Sequence, residues 1–233
     1  MGIPLRKEDR IYTYADYLTW PNDERWELID GVAYNMSPAP GRRHQEIAGE
    51  IFRQLANYLK EESGCHVYIA PFDVRFPENP DEQDKEITTV VQPDVSVFCD
   101  ESKLDERGAT GAPDIAVEIL SPYTSVKDQR EKLALYERFG VREYWIVDPA
   151  NCIMWVYRLV EPGRTGQEGC RSGKERRPQL GGSESHTATY GKPEVYGPED
   201  TFTSRVLEGF SLELSLIHIS EPTRPLYISY AVF

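Results

Sequence analysis

The chain has 233 residues, 39% of them hydrophobic and 28% charged, enough apolar material for one packed core and the size of a single domain. Its formal charge of −13 at pH 7 excludes a coat protein that holds nucleic acid through bulk positive charge, although a local basic rim can still do so. Cys65, Cys99, Cys152 and Cys170 show no Cys-x-x-Cys spacing and no histidine pairing, so no zinc site is expected, and the four read as reduced, mostly packed thiols of a cytoplasmic protein.

Met1 to Asp9 is polar, so no signal peptide or membrane-length apolar run is expected at this start. A helix is expected around Tyr14 to Trp20, then a hairpin from Arg25 to Met36 that turns at Asp30-Gly31. Arg42 to Glu62 reads as a long helix, because Ile47, Ile51, Leu55 and Leu59 recur at helical spacing and would face a core. Arg42, Arg43 and His44 at its start form a basic cluster suited to a phosphate contact, the plainer alternative being a solvated helix end. Strands follow near Cys65 to Phe76 and Val90 to Phe98, separated by the acidic loop Pro77 to Thr88. Asp100 to Ala112 reads as a polar connection, and a further strand runs from Asp114 to Leu120. A helix from Thr124 to Gly140, capped by Thr124 or Ser125 and stopped by Gly140, precedes strands Glu143 to Val147 and Cys152 to Leu159. These elements describe an α/β fold, a mixed sheet with helices against it.

Two acids stand out within this scheme. Asp94 opens one β-rich segment, Gln92-Pro93-Asp94-Val95-Ser96-Val97-Phe98, and Glu118 lies inside another, Ile115-Ala116-Val117-Glu118-Ile119-Leu120. The second run is apolar on both faces, as in a strand covered by helices, so an unpaired carboxylate there would cost several kcal/mol. A divalent cation with a nearby ammonium group would compensate it. The following helix supplies the ammonium: Leu135, Tyr136 and Phe139 share a stripe that runs back through Lys132 and Asp128. The alternative for Lys132 is a packed stem with an amine reaching water. Two other acids fall outside. Asp114 lies four residues before Glu118 on one strand, roughly 13 Å away and too far to share an ion. Asp148, before Pro149, reads as a turn opener.

The set Trp26-Glu27-Leu28-Ile29-Asp30-Gly31, Gln92-Pro93-Asp94-Val95, Val117-Glu118-Ile119-Leu120-Ser121-Pro122 and Gly140 to Pro149 resembles the PD-(D/E)XK nuclease superfamily. It is closer still to a widespread bacterial family of restriction-endonuclease-like proteins, the Uma-two family, with the resemblance covering roughly Tyr12 to Leu159. What it implies is a restriction-endonuclease-like mixed central sheet flanked by helices, with an N-terminal β-hairpin, and a metal-dependent endonuclease acting on DNA. Mg²⁺ or Mn²⁺ would be held by Asp94 and Glu118 with a main-chain carbonyl near Ile119, Lys132 would assist catalysis, and Glu27 would be a further acid at the site. One position departs from the superfamily pattern, since Leu120 stands where the motif has lysine; in this family the amine looks displaced to the next helix, at Lys132. The competing expectation is an inactive nuclease-fold module that binds nucleic acid or protein. A cytoplasmic location is expected, and a homodimer is compatible with this reading.

By these signals residues 1–160 form the nuclease-like core, 161–189 a glycine-, serine- and charge-rich flexible insertion, and 190–215 terminal strands completing the core. Leu214 to Arg224 resembles the translation of a transposase sequencing adapter, so 216–233 is expected to be a non-native tail.

Overall fold

A computed structural model describes residues 10–21, 24–36, 40–61, 64–121, 126–160 and 188–217. In chain order its elements are α1 (Tyr14–Tyr17), β1 (Trp26–Ile29), β2 (Val32–Asn35), α2 (Arg42–Glu61), β3 (His66–Ile69), β4 (Val74–Arg75), β5 (Val90–Val91) and β6 (Val95–Phe98). There follow β7 (Leu104–Asp105), β8 (Gly108–Thr110), β9 (Ile115–Ile119), α3 (Val126–Phe139), β10 (Glu143–Asp148) and β11 (Ile153–Val160). Last come β12 (Thr189–Tyr190), β13 (Glu194–Tyr196), β14 (Thr201–Thr203), β15 (Ser211–Glu213) and α4 (Leu214–Ile217). Most of the insertion, the tail beyond residue 217 and the helix caps proposed at Thr124 and Ser125 lie outside the described residues.

The central sheet has the order β12-β11-β10-β9-β6-β3, with β13 also on β11. It is mixed: β9 and β10 run parallel, joined through α3, while β6 lies antiparallel to β9. Alternation along its strands fills both faces. Val95, Val97, Val117 and Ile119 pack with Ile47, Ile51 and Leu55 of α2 on one side. Phe98, Ala116, Tyr144 and Ile146 pack with Leu135 and Tyr136 of α3 on the other. That double covering is why β9 is apolar at successive positions.

A second sheet, in the order β2-β1-β5-β4-β8-β7, carries the N-terminal hairpin. The hairpin turn places Asp30 at φ 49° and Gly31 at φ 75°, the left-handed pair that matches strand twist in a two-residue connection. The single strands expected at 65–76 and 90–98 are each divided between the two sheets. Pro71 and Pro93 are the cause, because neither can donate to a ladder and each restricts the residue before it. Both members of one antiparallel ribbon thus leave the central sheet together, β3 with β6 and β4 with β5. At the bend, Ala70 N–H donates to the Asp94 carbonyl at 3.0 Å.

Three further expectations are corrected. The first helix ends at Tyr17 rather than near Trp20, held by a capping box between Thr13 and Asp16. The polar connection at 100–112 contains the β7–β8 hairpin, bound to the sheet by the buried Arg75, whose guanidinium donates to Asp105 Oδ2 at 2.7 Å and to the Ala109 carbonyl at 3.1 Å. Cys65 and Cys99 are not free thiols but a disulfide, one step beyond the His66–Phe98 pair of β3 and β6. Cross-strand placement brings them together, and sequence spacing alone did not reveal it. The cytoplasmic expectation therefore loses the support that free thiols lent it. No described helix is long and apolar enough to cross a membrane.

Candidate active site

The site forms where the ribbon bends. Asp94 sits immediately before β6, and continuing the register of Val95 against Val117 by one step sets it opposite Glu118. Residues so paired have Cβ atoms about 5 Å apart. Asp94 Oδ2 accepts the Ile119 main-chain N–H at 2.7 Å and lies 3.1 Å from His44 Nε2. His44 thus reaches over from α2, on the opposite face of the sheet from α3.

Glu118 shares the α3 face with Tyr144 and Ile146, as strand alternation requires. Its Oε1 accepts from Lys132 Nζ and from the Tyr136 hydroxyl, both at 2.7 Å. Lys132 and Tyr136 stand one turn apart on α3, so one face of the helix delivers both donors. Lys132 Nζ also donates to Glu27 Oε1 at 2.9 Å, and that oxygen accepts the Gln92 N–H at 2.8 Å. β1 thereby brings its acid to the same ammonium from the second sheet. The Lys132 side chain is only 12% exposed, so it is a buried bridge rather than a surface lysine.

Burial raises the Glu118 carboxyl to about 7; Asp94 and Glu27 push in the same direction and Lys132 opposes them. Burial alone would lower the Lys132 ammonium, but the Glu118 and Glu27 charges outweigh it and hold the group firmly protonated. His44 is likewise lowered by burial, yet the Asp94 hydrogen bond and charge, with Glu118 and the Ile119 main-chain carbonyl, leave it raised overall. Burial and Glu118 raise Tyr136 well above its ordinary range, fixing it as a neutral donor.

The donor set that could hold a cation is hard oxygen, Asp94 and Glu118 with the Ile119 carbonyl, which suits Mg²⁺ or Mn²⁺. Three carboxyl groups meet one ammonium and one imidazole, Glu27 and Glu118 on Lys132 and Asp94 on His44, and a divalent ion would offset their negative charge once Glu118 is ionised. Among the described residues no three His, Cys, Asp or Glu side chains close around a single point, so an ion would need the carbonyl and water to complete its shell.

Glu27, Asp94, Glu118, Lys132 and His44 are thus drawn together, Lys132 from the helix rather than from position 120. Arg42 and Arg43 are not: Arg42 pairs with Glu46 at the surface and Arg43 turns toward the Cys152 sulfur. Asp114 instead accepts the Cys99 N–H and pairs with Arg142, and Asp148 accepts the Ala150 and Asn151 N–H groups of the turn. Sequence reasoning missed the Tyr136 hydroxyl, although its spacing four residues after Lys132 was an available signal.

Residues 14–181 match the model of the Uma2 family, described as "Putative restriction endonuclease". The chain belongs to the Uma2 family. Among solved structures, this Uma2 chain is similar to the crystal structure of "a putative nuclease belonging to DUF820" from Anabaena variabilis ATCC 29413. The TM-score is 0.61 at 20% identity, covering 88% of this chain and 97% of that one. The shared fold is the restriction-endonuclease-like α/β fold. No curated protein matches this Uma2 chain.

Proposed function

We propose that this protein is an endonuclease that hydrolyses DNA phosphodiester bonds with Mg²⁺ or Mn²⁺ held by Asp94 and Glu118. The observation that carries the reading is the opposition of these two acids across β6 and β9, with Lys132 joining Glu118 to Glu27. Membership of a family described as "Putative restriction endonuclease" supports the reaction class. A bound divalent ion would supply Lewis acidity to the scissile phosphate and lower the pKa of an attacking water. Lys132 keeps a fixed positive charge beside the acids, to meet the negative charge that would build on the phosphoryl oxygens, and Glu27 holds that ammonium in place. Water oxygen bonds to phosphorus, the bond to the leaving sugar oxygen breaks, and the water proton passes to solvent as the leaving oxygen gains one.

Nicking of supercoiled plasmid with Mg²⁺ or Mn²⁺ tests this. Asp94→Ala and Lys132→Ala are each expected to lose at least about 100-fold in rate. Equal rates in the parent and both variants reject the site. The competing reading, an inactive module, is favoured by Leu120 at the motif-lysine position; it predicts plasmid retardation on a gel without nicking. An RNA substrate cleaved in place of DNA would reassign the polymer and leave the site intact.

A further inference from the structure

The two facing acids are each gripped by one oxygen only, and from opposite faces of the sheet. On Asp94, both contacts converge on Oδ2: the Ile119 N–H donates at 2.7 Å and His44 Nε2 lies 3.1 Å away. On Glu118, both converge on Oε1: Lys132 Nζ and the Tyr136 hydroxyl, each at 2.7 Å. No described residue donates to Asp94 Oδ1 or Glu118 Oε2. We propose that His44 and Tyr136 are positioning residues that clamp one oxygen of each acid, so that Asp94 and Glu118 present single oxygens to one small divalent cation and disfavour a larger one. This rests on the cation site proposed above.

Neither residue is explained by packing. His44 Nδ1 is buried without a partner among the described residues, a cost that an apolar side chain on α2 would avoid. Tyr136 packs its ring against Tyr144 at 4.8 Å and Phe76 at 6.2 Å between centroids. A phenylalanine would fill that space equally well; the hydroxyl serves Glu118. The ionic consequence follows from coordination chemistry. Ca²⁺ accepts six to eight oxygens and uses carboxylates through both oxygens readily, whereas Mg²⁺ demands near-octahedral geometry and takes carboxylates singly beside retained waters. Acids with one oxygen already occupied are suited to the second kind of ion.

Titration calorimetry with Mn²⁺ and with Ca²⁺, in the absence of DNA, tests the clamp on the full chain. Tyr136→Phe and His44→Ala are each expected to lose about tenfold or more in Mn²⁺ affinity, with a smaller loss for Ca²⁺. His44→Gln, whose amide can donate to the same Asp94 oxygen, is expected to recover most of it. Tyr136→Phe keeps its ring packing and decides the matter if His44→Ala does not fold, as its melting curve will show. Mn²⁺ affinity equal to the parent's in both variants, or losses the same for both ions, overturns the clamp alone if Asp94→Ala has abolished Mn²⁺ binding. If the parent binds no Mn²⁺, or Asp94→Ala binds it as the parent does, the cation site falls and the clamp with it.

Discussion

Glu118 and Lys132 show how single side chains divide stability from activity. A carboxyl raised to about 7 from an unfolded value near 4.5 favours the folded state below about 4.5, and that contribution is lost as pH rises through about 7. Cation binding has the opposite sign, because the proton must leave before the oxygens can ligate. Mn²⁺ affinity is therefore expected to fall about tenfold for each pH unit below about 7, and a Mn²⁺-induced rise in melting temperature should be large at pH 8 and small at pH 5.5. A Mn²⁺ shift independent of pH would disprove it. Glu118→Gln keeps an acceptor for Lys132 and Tyr136 without the buried charge, so it should fold at least as well at pH 8 while losing Mn²⁺ binding and nicking, read by calorimetry and plasmid assay. At this scale the sequence was informative where desolvation or periodicity singled a residue out: an acid in an apolar strand, an amine on a core stripe. Tyr136 stayed hidden because its ring satisfies the same stripe as its leucine neighbour. The His44 contact with Asp94 depends on how α2 meets the strand end, which local spacing does not encode.

At the level of elements, hydrophobic periodicity located α2, α3 and the strands from β9 to β11, whose long apolar patterns outlast any local irregularity. It failed where strands are two or three residues long. β7 and β8 present no alternation to read, and their hairpin exists through tertiary contacts with Arg75 and with Asp73, whose carbonyl accepts the Ala109 N–H at 2.8 Å. Gly108 makes that approach possible: at φ 130° a Cβ would lie 2.2 Å from the Asp73 carbonyl oxygen. Gly108→Ala is expected to cost about 1–3 kcal/mol, measured by urea unfolding, and a cost within about 0.5 kcal/mol would show that the hairpin can lift away. Pro71 and Pro93 were visible as letters, yet their meaning as a shared bend appears only when the two segments are paired. That bend sets Asp94 one residue before the first β6–β9 pair, Val95 with Val117, where the continued register meets Glu118.

For the whole molecule, covalent and buried polar ties fasten the sheets. The Cys65–Cys99 bond closes a segment of sequence separation 34, and replacing both residues by serine should lower the unfolding free energy by about 2–4 kcal/mol. Urea unfolding of the oxidised parent against the double variant reads this directly, and coincident curves would contradict it. Far along the chain, Glu143 in β10 is fully buried and accepts from Arg158, the Trp145 indole, the Ser204 hydroxyl and the Arg205 N–H. It thereby latches the β14–β15 segment onto the central sheet. Phe202, Leu207, Phe210, Leu212 and Leu214 from that segment enter the same apolar cluster as Ile47, Ile51 and Leu55 of α2. During synthesis, then, the helix that bears His44 waits with one flank bare until residue 214 has emerged from the ribosome.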